Sequence, residues 1–328
     1  MAIERVCVLG AGAIGSLYAA HIDQAAEVCV LVRRAEHAAA INASWLRVSG
    51  KSELVARPLA VHDPDEVPAP DLVIVAVKAT QLADAAAALA GRFAGAAVMT
   101  VQNGIGAEAA ISHAGGWPLI SAVTFMSGIR HADDHVEYEL DTATWMGPYA
   151  DTSTDPALVR ETRDLILAGG LQAEAFDDLV PAQWSKLIFN AAINGVAALT
   201  GLPHVAQFGA LEQPDDLGHL VRGVIDEGKA VARAASIELY EDPWEMNLRA
   251  VARGETEAAG GAYAHMPSML EDVNARRATE VDWIGGALVR EGERLGVPTP
   301  LNAALWRLIR GREASWAREH EGLAAAAR

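Results

Sequence analysis

In the stretch "WSKLIFNAAINGVAALTG", Trp184 to Gly201, a lysine and two amides recur at intervals of four: Lys186, Asn190 and Asn194. The remainder is apolar, with Leu187, Ile188, Phe189, Ile193, Val196 and Leu199 set among alanines. Four residues return to nearly the same face of a helix, so the three polar groups form a stripe on a helix whose composition calls for burial. Burying such groups without partners costs about 1–3 kcal/mol each, and more for a charge. The stripe therefore faces either a polar ligand or, in the plainer alternative, hydrogen-bonding groups on neighbouring helices, with the lysine snorkelling outward.

A second stretch, "HMPSMLEDVNARRATEVDWIGG", has Ser268 followed three residues later by Glu271, a capping-box pattern, with Pro267 just before it. The pattern predicts a helix starting at Ser268, and a helix N-terminus bearing a hydroxyl suits a carboxylate. Asp272, Arg276 and Glu280 then fall at intervals of four. They read either as a solvated salt-bridge ladder or as a row that brings Glu280 beside Lys186. His265 stands three residues before Ser268 in the same region.

The third candidate lies near the N-terminus. "VLGAGAIGSLYAA" carries Gly10, Gly12 and Gly15 in the spacing G-x-G-x-x-G, with Ala11, Ala13 and Ile14 between them. The motif follows an apolar strand, opens a helix and is followed by a second strand, the context in which it denotes a dinucleotide site. An enzyme that uses NAD carries an acid at the end of that second strand to hold the ribose hydroxyls. Here the strand ends "VLVRR", with no acid from Cys29 to Ala35. Arg33 suits a 2′-phosphate through charge-assisted bonds, which favours NADP(H); Arg34 is equally well read as solvated. Lys78 ends the strand "VIVAVK" and Asn103 ends "VMTVQNG", and ligands of parallel sheets bind at such carboxyl ends.

These residues need two kinds of scaffold. The first half alternates strand and helix: "RVCVLG", Ala13–Ala25, "EVCVLVR", Ala35–Ala43, a short strand pair from "WLRVSG" and "ELVARPLAVH", "DLVIVAVK", Gln81–Phe93 and "AAVMTVQN". Strands this uniformly apolar are covered on both faces, as in parallel α/β sheets. From Pro118, "LISAVTFMSGIR", "HVEYEL" and "ATWMGPY" predict an antiparallel meander that closes the sheet, followed by a helix over Asp155–Ala168. After Val180 the pattern is helical. The expectation is an α/β chain: a Rossmann-type doubly wound dinucleotide-binding domain over 1–178, then an all-α substrate-binding domain over 179–328. The substrate site is expected in a cleft between them.

The composition narrows the function. The 328 residues carry a formal net charge of -17, which repels nucleic acid and anionic membranes. No apolar run spans a membrane and the N-terminus lacks a cleavable signal pattern, so a cytoplasmic protein is expected. Cys7 and Cys29 read as buried thiols. "HADDH", His131 to His135, has a ligand-like look but falls in a hairpin turn, so no metal site is expected.

Together the pieces "GAGAIG", "VAVK" followed by Gln81, "VQNGIG", "WSKLIFNAAIN", "PSMLEDV…RRATEVD" and "GVPTPLN" resemble, in order and spacing over nearly the whole chain, the ketopantoate reductase family (2-dehydropantoate 2-reductase). The resemblance implies reduction of a small 2-oxo acid, 2-dehydropantoate first among them, to a 2-hydroxy acid with NADP(H). It makes Lys186 the general acid and puts Glu280 at the reaction centre, against the cofactor as well. Asn190, Asn194 and Ser268 then contact the substrate. Gly10 to Gly15 and Lys78 serve the cofactor, beside the Arg33 read above from the strand end, and Asn103 serves both. A homodimer is compatible with this reading. Gly195 stands where enzymes acting on ketopantoate often have proline, and the family includes members acting on other 2-oxo acids. A different 2-oxo acid is therefore the alternative, with a non-catalytic NADP(H) sensor as the third reading.

Arg33 and the missing acid generate a test. NADPH should bind at least about tenfold tighter than NADH, equivalent to about 1.4 kcal/mol. Arg33→Ala should narrow that gap by weakening NADPH, as read by fluorescence titration; equal wild-type affinities would defeat the reading.

Overall fold

The computed structural model describes residues 3–211, 216–259 and 266–326. The chain divides into two compact units, Met1–Leu179 and Val180–Arg328.

The first unit is built on strands β1 (Arg5–Leu9), β2 (Glu27–Leu31), β3 (Leu46–Gly50), β4 (Leu54–Ala56), β5 (Leu59–Val61), β6 (Leu72–Val75), β7 (Ala97–Thr100), β8 (Leu119–Thr124), β9 (Ser127–Ala132), β10 (His135–Leu140), β11 (Thr144–Pro148) and β12 (Ala173–Ala175). Its helices are α1 (Ala13–Ile22), α2 (Ala35–Ser44), α3 (Leu82–Leu89), α4 (Ala107–Ser112) and α5 (Pro156–Ala168). Eight strands form one sheet in the order β12-β11-β8-β7-β6-β1-β2-β5. The run from β5 to β8 is parallel throughout; β11 lies antiparallel to β8 and parallel to β12. The stretch β5-β2-β1-β6-β7-β8 is the doubly wound dinucleotide order, in which the winding reverses between β1 and β6. Every side chain of β6 is fully buried, as a strand covered on both faces requires.

The predicted meander does not form. β8 enters the large sheet beside β7, and β11 returns to it, whereas β9 and β10 leave to join a second sheet of order β4-β3-β10-β9. The reason lies in the side chains. β8 is buried along its whole length, but β9, "SGIRHA", is exposed over its last four residues and does not fit inside a doubly covered sheet. The segment "ELVARPLAVH" is divided in the same way: β4 pairs with β3, while β5 forms the edge of the large sheet against β2. Asn42 of α2 fastens that edge through its side-chain amide, donating to Ala60 O at 2.8 Å and accepting from Ala60 N at 2.9 Å. Cys7 and Cys29 lie in register on β1 and β2, and burial pushes both thiols upward, Cys29 to about 11. They are inert core residues.

The described residues of the second unit are helical: α6 (Val180–Thr200), α7 (Asp216–Ala234), α8 (Pro243–Ala259), α9 (Ser268–Asn274), α10 (Gly285–Leu295) and α11 (Pro300–Ala326). α6 is the hub, packed against each of the other five. Small residues allow the closest approach. A Cβ on Gly228 of α7 would sit 2.8 Å from Ile188 of α6, and one on Gly195 would meet Leu305 of α11 at 3.3 Å. Gly195 thus serves helix packing in an unbroken α6. Among the described residues no helix is long and apolar enough to cross a membrane.

Candidate active site

The switch between β1 and β6 marks the candidate dinucleotide site in the first unit, because ligands of such sheets sit at the carboxyl ends of the strands on either side of it. Gly10 leaves β1 at φ 98°, a conformation that favours glycine, and a Cβ there would sit 2.7 Å from Val77 Cγ1. A Cβ on Gly15 would collide with the Gly10 carbonyl, so this glycine is required by the loop itself. Gly12 differs, because a Cβ there would meet nothing within 4 Å. The fold does not need glycine at Gly12, whereas a pyrophosphate approaching the first turn of α1 would. That turn carries no acidic residue and offers its N–H groups to an anion. Ala11, Ala13 and Ile14 complete the loop, which therefore fits a dinucleotide.

Beyond β2 the two arginines differ. Arg33 is exposed and makes no hydrogen bond or ion pair among the described residues. Arg34 is turned onto Asp133, in the β9–β10 turn, with bonds of 2.6 and 2.8 Å. Arg130 pairs with the same carboxylate, and a His37 ring nitrogen lies 3.0 Å from the Asp133 carbonyl oxygen. The "HADDH" turn is thus more than solvated surface. It holds Arg34, and its carboxylate is occupied by two guanidinium groups. Lys78 follows β6 and Asn103 follows β7, both half-buried and both engaged.

In the second unit the polar stripe is buried. Lys186, Asn190 and Asn194 are 4%, 7% and 6% exposed. Burial pulls the Lys186 ammonium down to about 7, against the opposing pull of the Glu280 carboxylate. Lys186 and Glu280 are therefore brought together, although not by the expected helical row. α9 ends at Asn274, and Arg276 turns the chain at φ 50°. Glu280 stands on a non-helical segment before α10, and Asp272 is paired with Arg277 at 3.0 Å. The capping box does not form either. Pro267 occupies the cap position without a side-chain bond, and Ser268 is the exposed first residue of α9. Asn194 reaches that helix instead, its Oδ1 accepting from Met269 N at 3.2 Å. His265 lies outside the described residues.

A family model described as "Ketopantoate reductase PanE/ApbA" matches residues 6–151, and its counterpart, "Ketopantoate reductase PanE/ApbA C terminal", matches residues 178–313. The chain belongs to the ketopantoate reductase family. A 2-dehydropantoate 2-reductase of Archaeoglobus fulgidus is 30% identical, over 95% of this chain and 99% of its own. The crystal structure of a PanE/ApbA family ketopantoate reductase from Ralstonia eutropha superposes with a TM-score of 0.80 at 27% identity, covering 95% of this chain and 99% of that one. D-mandelate dehydrogenase, in a complex with NADH and anilino(oxo)acetate, shares the fold at a TM-score of 0.80 and 24% identity, with the same coverage.

Within this member of the family, two residues emerge that the sequence did not single out. Gln102, at the end of β7, donates through Nε2 to Val75 O at 2.7 Å and Val77 O at 2.8 Å. It thereby clamps the end of β6 and the loop that leads to Lys78. Asp133 is the other. Its signal was the run of charges in "HADDH", legible as charge but not as a partner for Arg34.

The two glycine environments predict opposite results. Gly12→Ala should leave the melting temperature within about 1 °C of wild type while weakening dinucleotide binding by about tenfold or more. Gly15→Ala should destabilise the first unit by about 1–3 kcal/mol, as for other overpacked sites, and lower the melting temperature. Thermal melts and cofactor titration of both variants check this; a Gly12→Ala protein with full cofactor affinity would refute the assigned site.

Proposed function

We propose that this chain is an NADP(H)-dependent reductase that converts a 2-oxo acid to the 2-hydroxy acid, with 2-dehydropantoate as the substrate and pantoate as the product. One observation carries the reading: a fully buried lysine, tuned to about 7 and faced by a carboxylate, shares a helix face with two buried amides. Family membership and the dinucleotide-fitting loop support it. The exposed Arg33, and the engagement of Asp133 by arginines, support NADP(H) over NAD(H), because no acid follows β2 to hold ribose hydroxyls.

In this reading the loop from Gly10 to Gly15, with Arg33, Lys78 and Asn103, holds the cofactor. When bound, the reduced nicotinamide supplies the hydride to the substrate carbonyl carbon. Lys186 hydrogen-bonds the carbonyl oxygen through Nζ, stabilises the negative charge that develops there and donates the proton that completes the alcohol. Its lowered pKa makes it a more competent acid than an ordinary lysine, and Glu280 keeps a useful fraction protonated. Asn190 and Asn194 orient the substrate oxygens without adding charge, and the exposed Ser268 hydroxyl receives the carboxylate. Of the carboxylates in these segments, Glu280 is held against Lys186, Asp272 is neutralised by Arg277, and Glu271, in the first turn of α9, is itself engaged.

Lys186→Ala should lower kcat by roughly 10²–10⁴ with cofactor affinity unchanged, the usual worth of a positioned acid. Lys186→Arg should restore little, because guanidinium is a poor proton donor. The required form is the ammonium, so kcat/KM for reduction should be flat below pH 7 and fall about tenfold per unit above it, through the Lys186 pKa of about 7. The midpoint for kcat should lie higher, since the anionic substrate favours the charged lysine. NADPH oxidation across a panel of 2-oxo acids provides all these readings. A Lys186→Ala variant at full kcat on the best substrate would make the polar stripe structural and sink the proposal.

A further inference from the structure

Glu280 presents a mechanical problem. Lys186 is fixed by a 21-residue helix, but its counter-charge rides on a non-helical segment between α9 and α10. Its carbonyl oxygen accepts from Trp283 N at 3.0 Å and Ile284 N at 3.1 Å, which ties Glu280 forward to the turn before α10, while the stretch behind it is held from outside the segment.

The clasp comes from one face of α11. Glu313 Oε1 accepts from both Thr279 N at 2.7 Å and Thr279 Oγ1 at 2.6 Å. Thr279 immediately precedes Glu280 and is only 3% exposed, and its Oγ1 also accepts from Val281 N at 3.3 Å. Beyond Glu280, Asp282 accepts from Trp306 Nε1 at 2.6 Å and from Arg310 Nη1 at 3.2 Å. Trp306, Arg310 and Glu313 follow one another by a turn along α11, so one helix face holds the segment on both sides of Glu280.

α11 is itself anchored at both levels. The Glu227 carboxylate of α7 accepts from Leu301 N at 2.8 Å and Asn302 N at 3.0 Å, satisfying its first turn. Arg312, next to Glu313, donates to Ala198 O at 3.1 Å in the last turn of α6. The helix that carries Lys186 and the helix that holds Glu280 are thus tied to each other.

We infer that Glu313 is a positioning residue for the reductase: by clasping Thr279 it fixes Glu280 against Lys186. This rests on the reading of Lys186 as the acid. Glu280 is the charged group that acts on the ammonium. Other charged groups on the helices around α6 are committed elsewhere: Glu227 to the start of α11, Asp272 to Arg277, and Lys229 to Asp242. Loss of the clasp should therefore register as a lower proton affinity at Lys186.

The chain has only four lysines, Lys51, Lys78, Lys186 and Lys229, so the ammonium can be followed by NMR with [ε-13C]lysine in the absence of any ligand. The Lys186 resonance is assigned by its loss in Lys186→Ala. Glu313→Leu should lower the Lys186 midpoint by about one pH unit or more, as expected for loss of a close opposite charge. It should also reduce kcat on 2-dehydropantoate about tenfold or more, with NADPH affinity unchanged. Glu313→Gln keeps an Oε1 acceptor and should retain the wild-type midpoint and most of kcat. Thr279→Val removes one of the two bonds and should move the midpoint in the same direction by less, which serves if Glu313→Leu does not fold. A wild-type midpoint in Glu313→Leu or in Thr279→Val, or a Glu313→Gln protein as shifted as Glu313→Leu, would overturn the inference. Lys186→Ala assayed in parallel separates the two claims. Full activity there removes the acid assignment and this inference with it, whereas an inactive Lys186→Ala beside an unshifted Glu313→Leu removes only the role of Glu313.

Discussion

A lysine ammonium buried on the central helix is the constraint around which the second unit is arranged. An isolated charge in such a place costs several kcal/mol even after relaxation. The chain does not avoid that cost by turning Lys186 outward, since α6 touches every other helix of the unit and Lys186 is almost fully covered. It meets the charge with Glu280 and leaves part of the penalty in place, which is why the lysine titrates near 7 rather than near its ordinary value. For the acid role proposed for Lys186, the residual penalty is the useful quantity. A fully compensated lysine would be a poor acid, and an uncompensated one would lose its proton before the substrate arrived.

The rest of the unit keeps that balance fixed. α6 packs tightly because glycines on it and on α7 admit Leu305 and Ile188 at close range. α7 supplies Glu227, which caps the start of α11, and α11 in turn holds the segment carrying Glu280. Asn194 belongs to the same arrangement, since its carbonyl oxygen reaches the first turn of α9. An amide on the polar stripe thus holds a neighbouring helix through its oxygen, and the proposed substrate contact falls to its nitrogen, so the two readings of the stripe are not exclusive.

How much of this was legible in the sequence depends on whether the controlling physics is local. The glycine loop, the uniformly apolar strands and the four-residue spacing of Lys186, Asn190 and Asn194 are local patterns, and the doubly wound order and the buried stripe follow from them. The partition of strands between two sheets is not local. "SGIRHA" is too polar for a doubly covered sheet, but β3, the strand against which its hairpin partner β10 docks, lies about ninety residues earlier, beyond the reach of any periodicity. The same holds for Asp133 and Glu313. Each is an ordinary charged residue in its own neighbourhood, given a role by Arg34 or Thr279 across the fold. The regular spacing of Asp272, Arg276 and Glu280 misled in the opposite sense. A four-residue repeat indicates a shared face only while the helix continues, and this helix stops at Asn274.

On the proposed function, the two units meet their ligands by different physics. In the first, recognition is defined by missing side chains: Gly10 and Gly15 are required by the loop's own sterics, and Gly12 leaves open backbone that the fold does not use. Such a site is set by shape, and substitutions elsewhere in the sheet leave it intact as long as the loop survives. In the second, the decisive property is the proton affinity of one group, which depends on dielectric surroundings and on the placement of a single carboxylate. That property can be retuned without touching Lys186 or Glu280, through anything that admits water beside α6 or lets the 277–284 segment drift. The cofactor half is robust because it relies on geometry close to the backbone. The substrate half is adjustable because it relies on a balance between burial and charge.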